Sequence, residues 1–304
     1  MIEIITEAAK KRRLQWIDEI VTLSGSFGAD SSRVEAELNR EIGTDGLPAL
    51  LDHLRLCSAI PESYGHDSSE EKLYSKYTDA LISAAYAFMG MDSAVLTERA
   101  DAADVEVEAD DFSFVADAKV FRLSRTAKNQ KDFKVQAMDG WKRGKPYAMV
   151  VCPLYQLPSR SSQIYHQAAQ RNVCVFSYSH LAVLAQLADA QGSEAAIGLL
   201  LQVFQAVEAL TPSKDAAPYW RAVNRTMLGH HPSVAALWEQ EQQATTESIA
   251  ISQQIALDHL AAERDKIARL SHQEAVRQLV SMHKIDSRSD VISAVSGNAL
   301  MNPG

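Results

Sequence analysis

An α/β protein, with a small sheet-bearing core set between helical flanks, is what this sequence predicts, and three observations carry the prediction. The first ninety or so residues show helical spacing between polar breaks. From Asp104 to Phe176 the apolar residues gather instead into short, strand-length runs with a helical stretch among them. From Ser179 onward helical patterning returns.

Within the N-terminal part, Ser68-Ser69-Glu70-Glu71 has the form of a helix start, with a hydroxyl to cap the first turn and carboxylates near its positive end. Beyond it Leu73, Tyr77, Leu81, Ala84, Ala85 and Phe88 recur at three- and four-residue spacing until Gly90, which predicts one amphipathic helix.

Two runs come next, Asp104 to Val107 and Phe112 to Val120, joined by the turn-forming Asp110-Asp111; they predict a β-hairpin. Tyr147 to Cys152, closed by Pro153, and Val173 to Phe176 predict two more strands, with a helix from Ser161 to Arg171 between them. Ala195 to Val207 is the longest apolar run; it is interrupted by Gln202 and falls short of the ~20 residues that span a bilayer, so it predicts a buried helix. A polar stretch rich in Gln, Glu and Ala from Ser233 to Leu270 carries Leu237, Ile249, Ile255, Leu260 and Ile267 at imperfect helical spacing, as a long exposed or dimer-forming helix would. We divide the chain into a helical region over 1–95, a catalytic and recognition core over 96–190 and a helical region over 191–304, all expected in one compact body.

The composition is that of a folded globular protein, with 46% hydrophobic and 23% charged residues. Lys10 to Arg13 are basic, but Gln15, Asp18 and Glu19 interrupt the stretch beyond them, so neither an export signal nor a membrane span is expected. Cys57, Cys152 and Cys174 are far apart and odd in number, which points to reduced, buried thiols in a cytoplasm and against a disulfide framework or a zinc site.

A formal net charge of −9 argues on its face against a polyanionic partner. The charge is unevenly spread: between Lys119 and Lys145 there are nine basic and two acidic residues, leaving 21 basic against 37 acidic elsewhere. Such asymmetry points to a local nucleic-acid site.

Chemistry is suggested by Asp104, followed after twelve residues by Asp117-Ala118-Lys119. On the hairpin reading Asp104 opens the first strand, while Asp117 and Lys119, two apart, share a face of the second. Two carboxylates brought together repel unless a divalent cation sits between them, and Mg²⁺ takes hard oxygen ligands of this kind beside phosphate oxygens. A neighbouring lysine can orient the attacking water and offset developing charge, so the set suits phosphodiester hydrolysis. From Lys119 to Lys134 basic residues recur every three positions, interleaved with Ser, Thr, Asn and Gln able to reach base edges. A sequence-specific binder that does no chemistry would have no use for the carboxylates; a repair or junction-resolving nuclease with the same core would.

The stretch from Val115 to Lys119, continued through Phe121-Arg122-Leu123-Ser124-Arg125-Thr126-Ala127-Lys128-Asn129-Gln130-Lys131-Asp132-Phe133-Lys134-Val135, closely resembles HindIII-type restriction endonucleases. Weaker likeness extends through Glu71 to Lys76, Asp104-Val105, Ser162 to Ile164, Val175 to Ser177 and His180 to Leu184, over about Ser69 to Leu187, with Glu274-Ala275-Val276 a late correspondence. The resemblance implies a PD-(D/E)XK core, a mixed central sheet flanked by helices, in a homodimeric type II enzyme. Such an enzyme recognises the palindrome AAGCTT and cuts after the first A with one or two Mg²⁺ per subunit, alongside a DNA methyltransferase acting on the same site.

Carried onto this sequence, the catalytic pair is Asp117 and Lys119, with Asp104 as the first motif aspartate, preceded by Ala103 where the motif has proline. Thr97 stands in place of a glutamate that the family carries on the preceding helix, which makes the adjacent Glu98 the candidate third carboxylate. The family's DNA-contacting segment falls on Ala127, Asn129, Lys131 and Asp132, while Arg122, Arg125, Lys128 and Lys134 are the candidate phosphate contacts. His230-His231-Pro232 lacks ligand spacing, Gly25-Ser26-Phe27-Gly28 lacks the ending of a phosphate loop, and Trp16, Trp141, Trp220 and Trp238 are scattered as packing residues are.

Overall fold

The computed structural model describes residues 3–96, 102–125 and 130–295, apart from the side chains of 130 and 131. Glu98, Ala127, Lys128 and Asn129 therefore lie outside the described residues, as does the Lys131 side chain. Residues 1–256 form one unit and residues 257–304 another.

The chain begins with α1 (Glu7–Val21), α2 (Phe27–Asp45), α3 (Leu47–Leu56) and α4 (Ser69–Phe88). The start of α4 is as the sequence predicts: the Ser68 hydroxyl accepts from the Glu71 backbone N–H at 3.2 Å, and Glu70 and Glu71 stand in the first turn. Gly90, at φ 90°, turns the chain out of the helix; a side chain there would strike Ser193 Oγ, 2.7 Å from an added Cβ. The apolar stripe of α4 understates its burial, for Thr78, Asp79 and Ser83 are enclosed as well, between helices on one side and the sheet on the other.

The sheet has five strands in the order β1 (Asp92–Val95), β2 (Val105–Glu108), β3 (Ser113–Ala118), β4 (Tyr147–Cys152) and β5 (Val173–Ser177). β1, β2 and β3 pair antiparallel, while β3, β4 and β5 pair parallel, so the sheet is mixed. The hairpin joins β2 to β3, with Ala109 N–H donating to the Phe112 carbonyl at 2.9 Å across the turn. The parallel strands are buried almost throughout, which is why their sequences read as unbroken apolar runs. β1 is the strand the sequence does not announce: it is a partly exposed edge, and Asp92-Ser93-Ala94-Val95 has no alternation and a single β-branched residue, Val95, to mark it.

After β3 come the short α5 (Gln130–Phe133) and α6 (Val135–Trp141). α7 (Gln163–Arg171), capped by Ser162, makes the crossover between β4 and β5 where a helix is expected. α8 (Tyr178–Gln191), α9 (Ser193–Glu208) and α10 (Ala216–His230) pack onto the core; α9 buries Ala196, Leu199, Leu200, Val203, Phe204 and Val207, so one face of the longest apolar run is enclosed rather than the whole helix. α11 (Pro232–Ala268) is the long polar helix anticipated over 233–270. In the first unit it is fixed by Glu241, whose buried carboxylate meets Arg55 at 2.5 Å and Gln186 at 2.8 Å. The second unit holds α12 (His272–Met282) and α13 (Ile285–Ser293), neither with a buried side chain. All three cysteines are buried thiols outside any disulfide, as the composition predicts.

Candidate active site

β3 carries Asp117 into the core between parallel β4 and antiparallel β2, and the side chain is 1% exposed. Lys119 comes directly after the last strand residue, and its backbone N–H prolongs the ladder to the Val151 carbonyl at 2.7 Å. Two residues apart on extended chain, the two side chains share a face, and the Lys119 ammonium donates to Asp117 Oδ1. Tyr178 donates to the Lys119 carbonyl at 3.2 Å, so the lysine backbone is held from both sides.

Asp104 stands one residue before β2 rather than within it. Val105 pairs with Ala116, and continuing this antiparallel register by one residue sets Asp104 across from Asp117. Its carbonyl accepts from Leu96 N–H at 2.8 Å, which fixes the approach to the strand.

A third carboxylate reaches the same place from α4. One ligand oxygen each from Asp79, Asp104 and Asp117 lie within 4.8 Å of one another. Asp79 comes with a lysine one turn away: Lys76 Nζ is 3.2 Å from Asp79 Oδ2 and 2.5 Å from Asp104 Oδ1. The cluster thus contains three aspartates and two lysines.

Burial is the main cause that raises the Asp117 carboxyl above the usual range, partly offset by Lys119. Asp79 is pushed further up, first by burial and then by the Asp104 charge. Burial works against the Lys76 ammonium, yet the two aspartates beside it outweigh burial and hold its pKa above the ordinary lysine value.

The donor set fits a hard divalent cation, being all carboxylate oxygen. A second observation agrees: Asp117 Oδ2 is buried and has no hydrogen-bond partner among the described residues, a deficit that an enclosed carboxylate oxygen does not normally carry. The other acidic grouping among the described residues, His66, Asp67 and Glu71, is largely exposed, and its Glu71 is engaged by Arg122. His230 and His231 bond to Gln202 and Ser233 and join no ligand cluster among the described residues.

The basic segment is less free than its charge suggests. Arg122 is enclosed, donating to Glu71 at 3.1 Å and to the Pro61 and Gly65 carbonyls, with Glu62 at 4.0 Å. Ser124 donates to Glu62 through both its N–H and its hydroxyl. Arg125 lies over the Phe121 ring and meets Asp132 at 2.5 Å. Lys142 is bound to Asp139 and the Arg171 carbonyl, and Lys145 to Glu106 and Glu108. Sequence counting missed these partners because most are distant along the chain. Lys134, in a left-handed turn between α5 and α6, is exposed over Trp141, and its charge lowers the pKa of Asp117.

Asp79 and Lys76 are the site residues that sequence reasoning passed over. The signal was an acid and a base three apart on a helix that is buried from Tyr77 to Tyr86. The spacing taken alone is that of an ordinary exposed helical ion pair, so only the enclosure gives it meaning.

The chain has known relatives. The family model for the HindIII restriction endonuclease matches residues 14–296. The chain is 43% identical over 140 residues to the type II restriction enzyme HindIII of Haemophilus influenzae, a match covering 45% of this chain and 47% of that protein. The chain thus spans about half the length of the curated relative it matches.

Proposed function

This chain belongs to the HindIII restriction endonuclease family, and from that premise we propose that it hydrolyses double-stranded DNA at the palindrome AAGCTT, after the first A, with Mg²⁺ as cofactor. The observation that carries the reading is the convergence of Asp79, Asp104 and Asp117 within 4.8 Å, with the Lys119 ammonium against Asp117.

Asp104 and Asp117, joined by Asp79, would hold one or two Mg²⁺ ions. When bound, the metal supplies Lewis acidity to a phosphate oxygen and a water made acidic enough to attack. Lys119 orients that water and offsets the negative charge that accumulates at phosphorus. Its position is set in advance, since Asp117 holds the ammonium while Tyr178 and Val151 hold the backbone. Lys134 adds a positive charge near Asp117, where the DNA backbone has to approach three carboxylates.

Ala127, Asn129, Lys131 and Asp132 form the base-reading segment; Arg125, Lys128 and Lys134 contact phosphates. Arg122 contributes by fixing how this segment leaves β3, through Glu71 and the 61–65 turn. A palindrome presents two equivalent half-sites, so two copies of the chain, one per strand, form the working unit. The enzyme works in the cytoplasm beside a methyltransferase that protects the same site. No described helix is long and apolar enough to cross a membrane.

Incubating the purified protein with a plasmid of known sequence and Mg²⁺, then mapping the ends, tests the reading. The expected product has ends only at AAGCTT after the first A, and none in chelator. Ends scattered over the plasmid would make it a non-specific nuclease, ends at branched structures a junction-resolving one, and binding without cutting a regulator. Sedimentation of the protein on a duplex bearing the site should show two copies; a stable monomer there would exclude the symmetric arrangement.

A further inference from the structure

Lys76 is a second lysine in the carboxylate cluster, outside the Asp-x-Lys motif, and its place there is unusual. Its ammonium bridges Asp104 Oδ1 at 2.5 Å and Asp79 Oδ2 at 3.2 Å, two of the three carboxylates that lie within 4.8 Å of one another. A lysine ammonium has three donors and no lone pair, so it cannot become a metal ligand. It can only compete with a cation for the same oxygens.

The two lysines of the cluster differ in their freedom to leave. Lys119 is 12% exposed, pairs with the most buried carboxylate and is tied through its backbone at both N–H and C=O. Lys76 is 28% exposed, on a flexible stem, and among the described residues only the two aspartates hold its ammonium. Without Lys76, Asp79, Asp104 and Asp117 would face one another with Lys119 as the sole cation shown among them, which costs stability in a low-dielectric setting.

We propose that Lys76 is a tethered placeholder: its ammonium holds Asp79 and Asp104 together in the metal-free protein and is expelled toward solvent when a divalent cation takes those oxygens. The inference rests on the metal-site reading above and adds to it a positioning residue. Lys76 stabilises the empty cluster at the expense of metal affinity, and so sets the cation concentration at which the site fills.

The test uses the whole protein, without DNA, and Ca²⁺ as the oxygen-seeking probe. Calorimetric titration compares the natural chain with Lys76→Gln and Asp117→Asn. In parallel an amine-acylating reagent labels lysines in the natural chain with and without saturating Ca²⁺, read by mass spectrometry against the exposed Lys72. Lys76→Gln should bind Ca²⁺ about tenfold or more tighter, because a competing positive charge is gone, and Asp117→Asn should bind more weakly. Labelling of Lys76, but not of Lys72, should rise several-fold when Ca²⁺ is bound.

Unchanged or weaker Ca²⁺ binding by Lys76→Gln, or unchanged Lys76 labelling at saturation, overturns the placeholder and leaves the metal site standing. If Lys76→Gln does not fold, labelling of the natural chain decides alone. If the natural chain binds no Ca²⁺ and Asp117→Asn behaves identically, the metal-site reading falls and the inference falls with it.

Discussion

Asp117 is enclosed within the sheet with one carboxylate oxygen on the Lys119 ammonium and the other, Oδ2, without a hydrogen-bond partner among the described residues. A buried carboxylate half satisfied in this way suits the cation proposed above, and it makes Asp117 and Lys119 separable by experiment.

Asp117→Ala is expected to abolish cleavage while leaving binding to a site-bearing duplex intact or tighter in chelator, because a negative charge near the scissile phosphate has been removed. Lys119→Met is expected to abolish cleavage by another route. It leaves the buried Asp117 without its ion-pair partner, so the metal-free protein loses about 3–5 kcal/mol. Thermal denaturation in chelator should show the loss, and a divalent cation should largely restore it. Normal turnover by either variant removes that residue from the mechanism.

Asp79→Asn tests the carboxylate that α4 supplies. Cleavage by this variant should require more Mg²⁺ than the natural chain and recover as Mg²⁺ is raised. Its effect on stability has a defined sign. A carboxyl whose pKa is raised in the fold costs stability above that pKa, where the fold must carry its charge, and the cost vanishes as pH falls to the ordinary 3.8. In chelator at neutral pH the variant should therefore melt about 2–4 °C higher, as relief of about 1 kcal/mol would give. The difference should close by pH 3.8. A variant that melts lower at neutral pH would show that Asp79 is held there by more favourable contacts than burial opposes.

His180 governs part of the acid limit. It is buried among Phe176, Trp220 and Trp238, accepts or donates to Ser177 Oγ at 2.6 Å, and burial pulls its pKa down to about 4 from 6.5. The unfolded chain takes up this proton below pH 6.5 and the fold refuses it until about 4, so stability falls as pH drops through that window, by about 3 kcal/mol in all. His180→Phe keeps an aromatic ring in the stack and removes the titration. Its melting temperature should fall less steeply between pH 6.5 and 4. An equal slope in both proteins would place the acid sensitivity elsewhere, His53 being the other buried histidine whose pKa burial lowers.

Discrimination and affinity should separate along the recognition segment. Asn129→Ala is expected to narrow the gap between AAGCTT and single-substituted sites by roughly ten- to a hundredfold, with the salt slope nearly unchanged, as loss of a base contact of ~1–3 kcal/mol would. Lys134→Ala should weaken all duplexes alike and reduce the slope by about one. Filter binding across a salt series reads both; uniform weakening and a flatter slope for Asn129→Ala would move base reading elsewhere in the chain.

The sequence alone determined whatever is written locally. The α/β class, the hairpin, β4, β5, α7 and the long α11 came from periodicity and turn residues, since each element's burial pattern repeats over a few neighbouring positions. The Asp117 and Lys119 pair was legible because two residues apart on a strand means one face, and Asp104 because a hairpin's register carries its far end back to the same level. Tertiary structure decided the rest. Asp79 and Lys76 belong to the site because α4 is buried against the sheet at β2 and β3, and helical spacing reports that a face is buried, not which residues it meets. The same limit applies to charge. Arg122, Lys142 and Lys145 looked like free cations in the sequence and are partnered by Glu71, Asp139, Glu106 and Glu108. An electrostatic environment is set by distance through space, and most of those distances close only when the chain has folded.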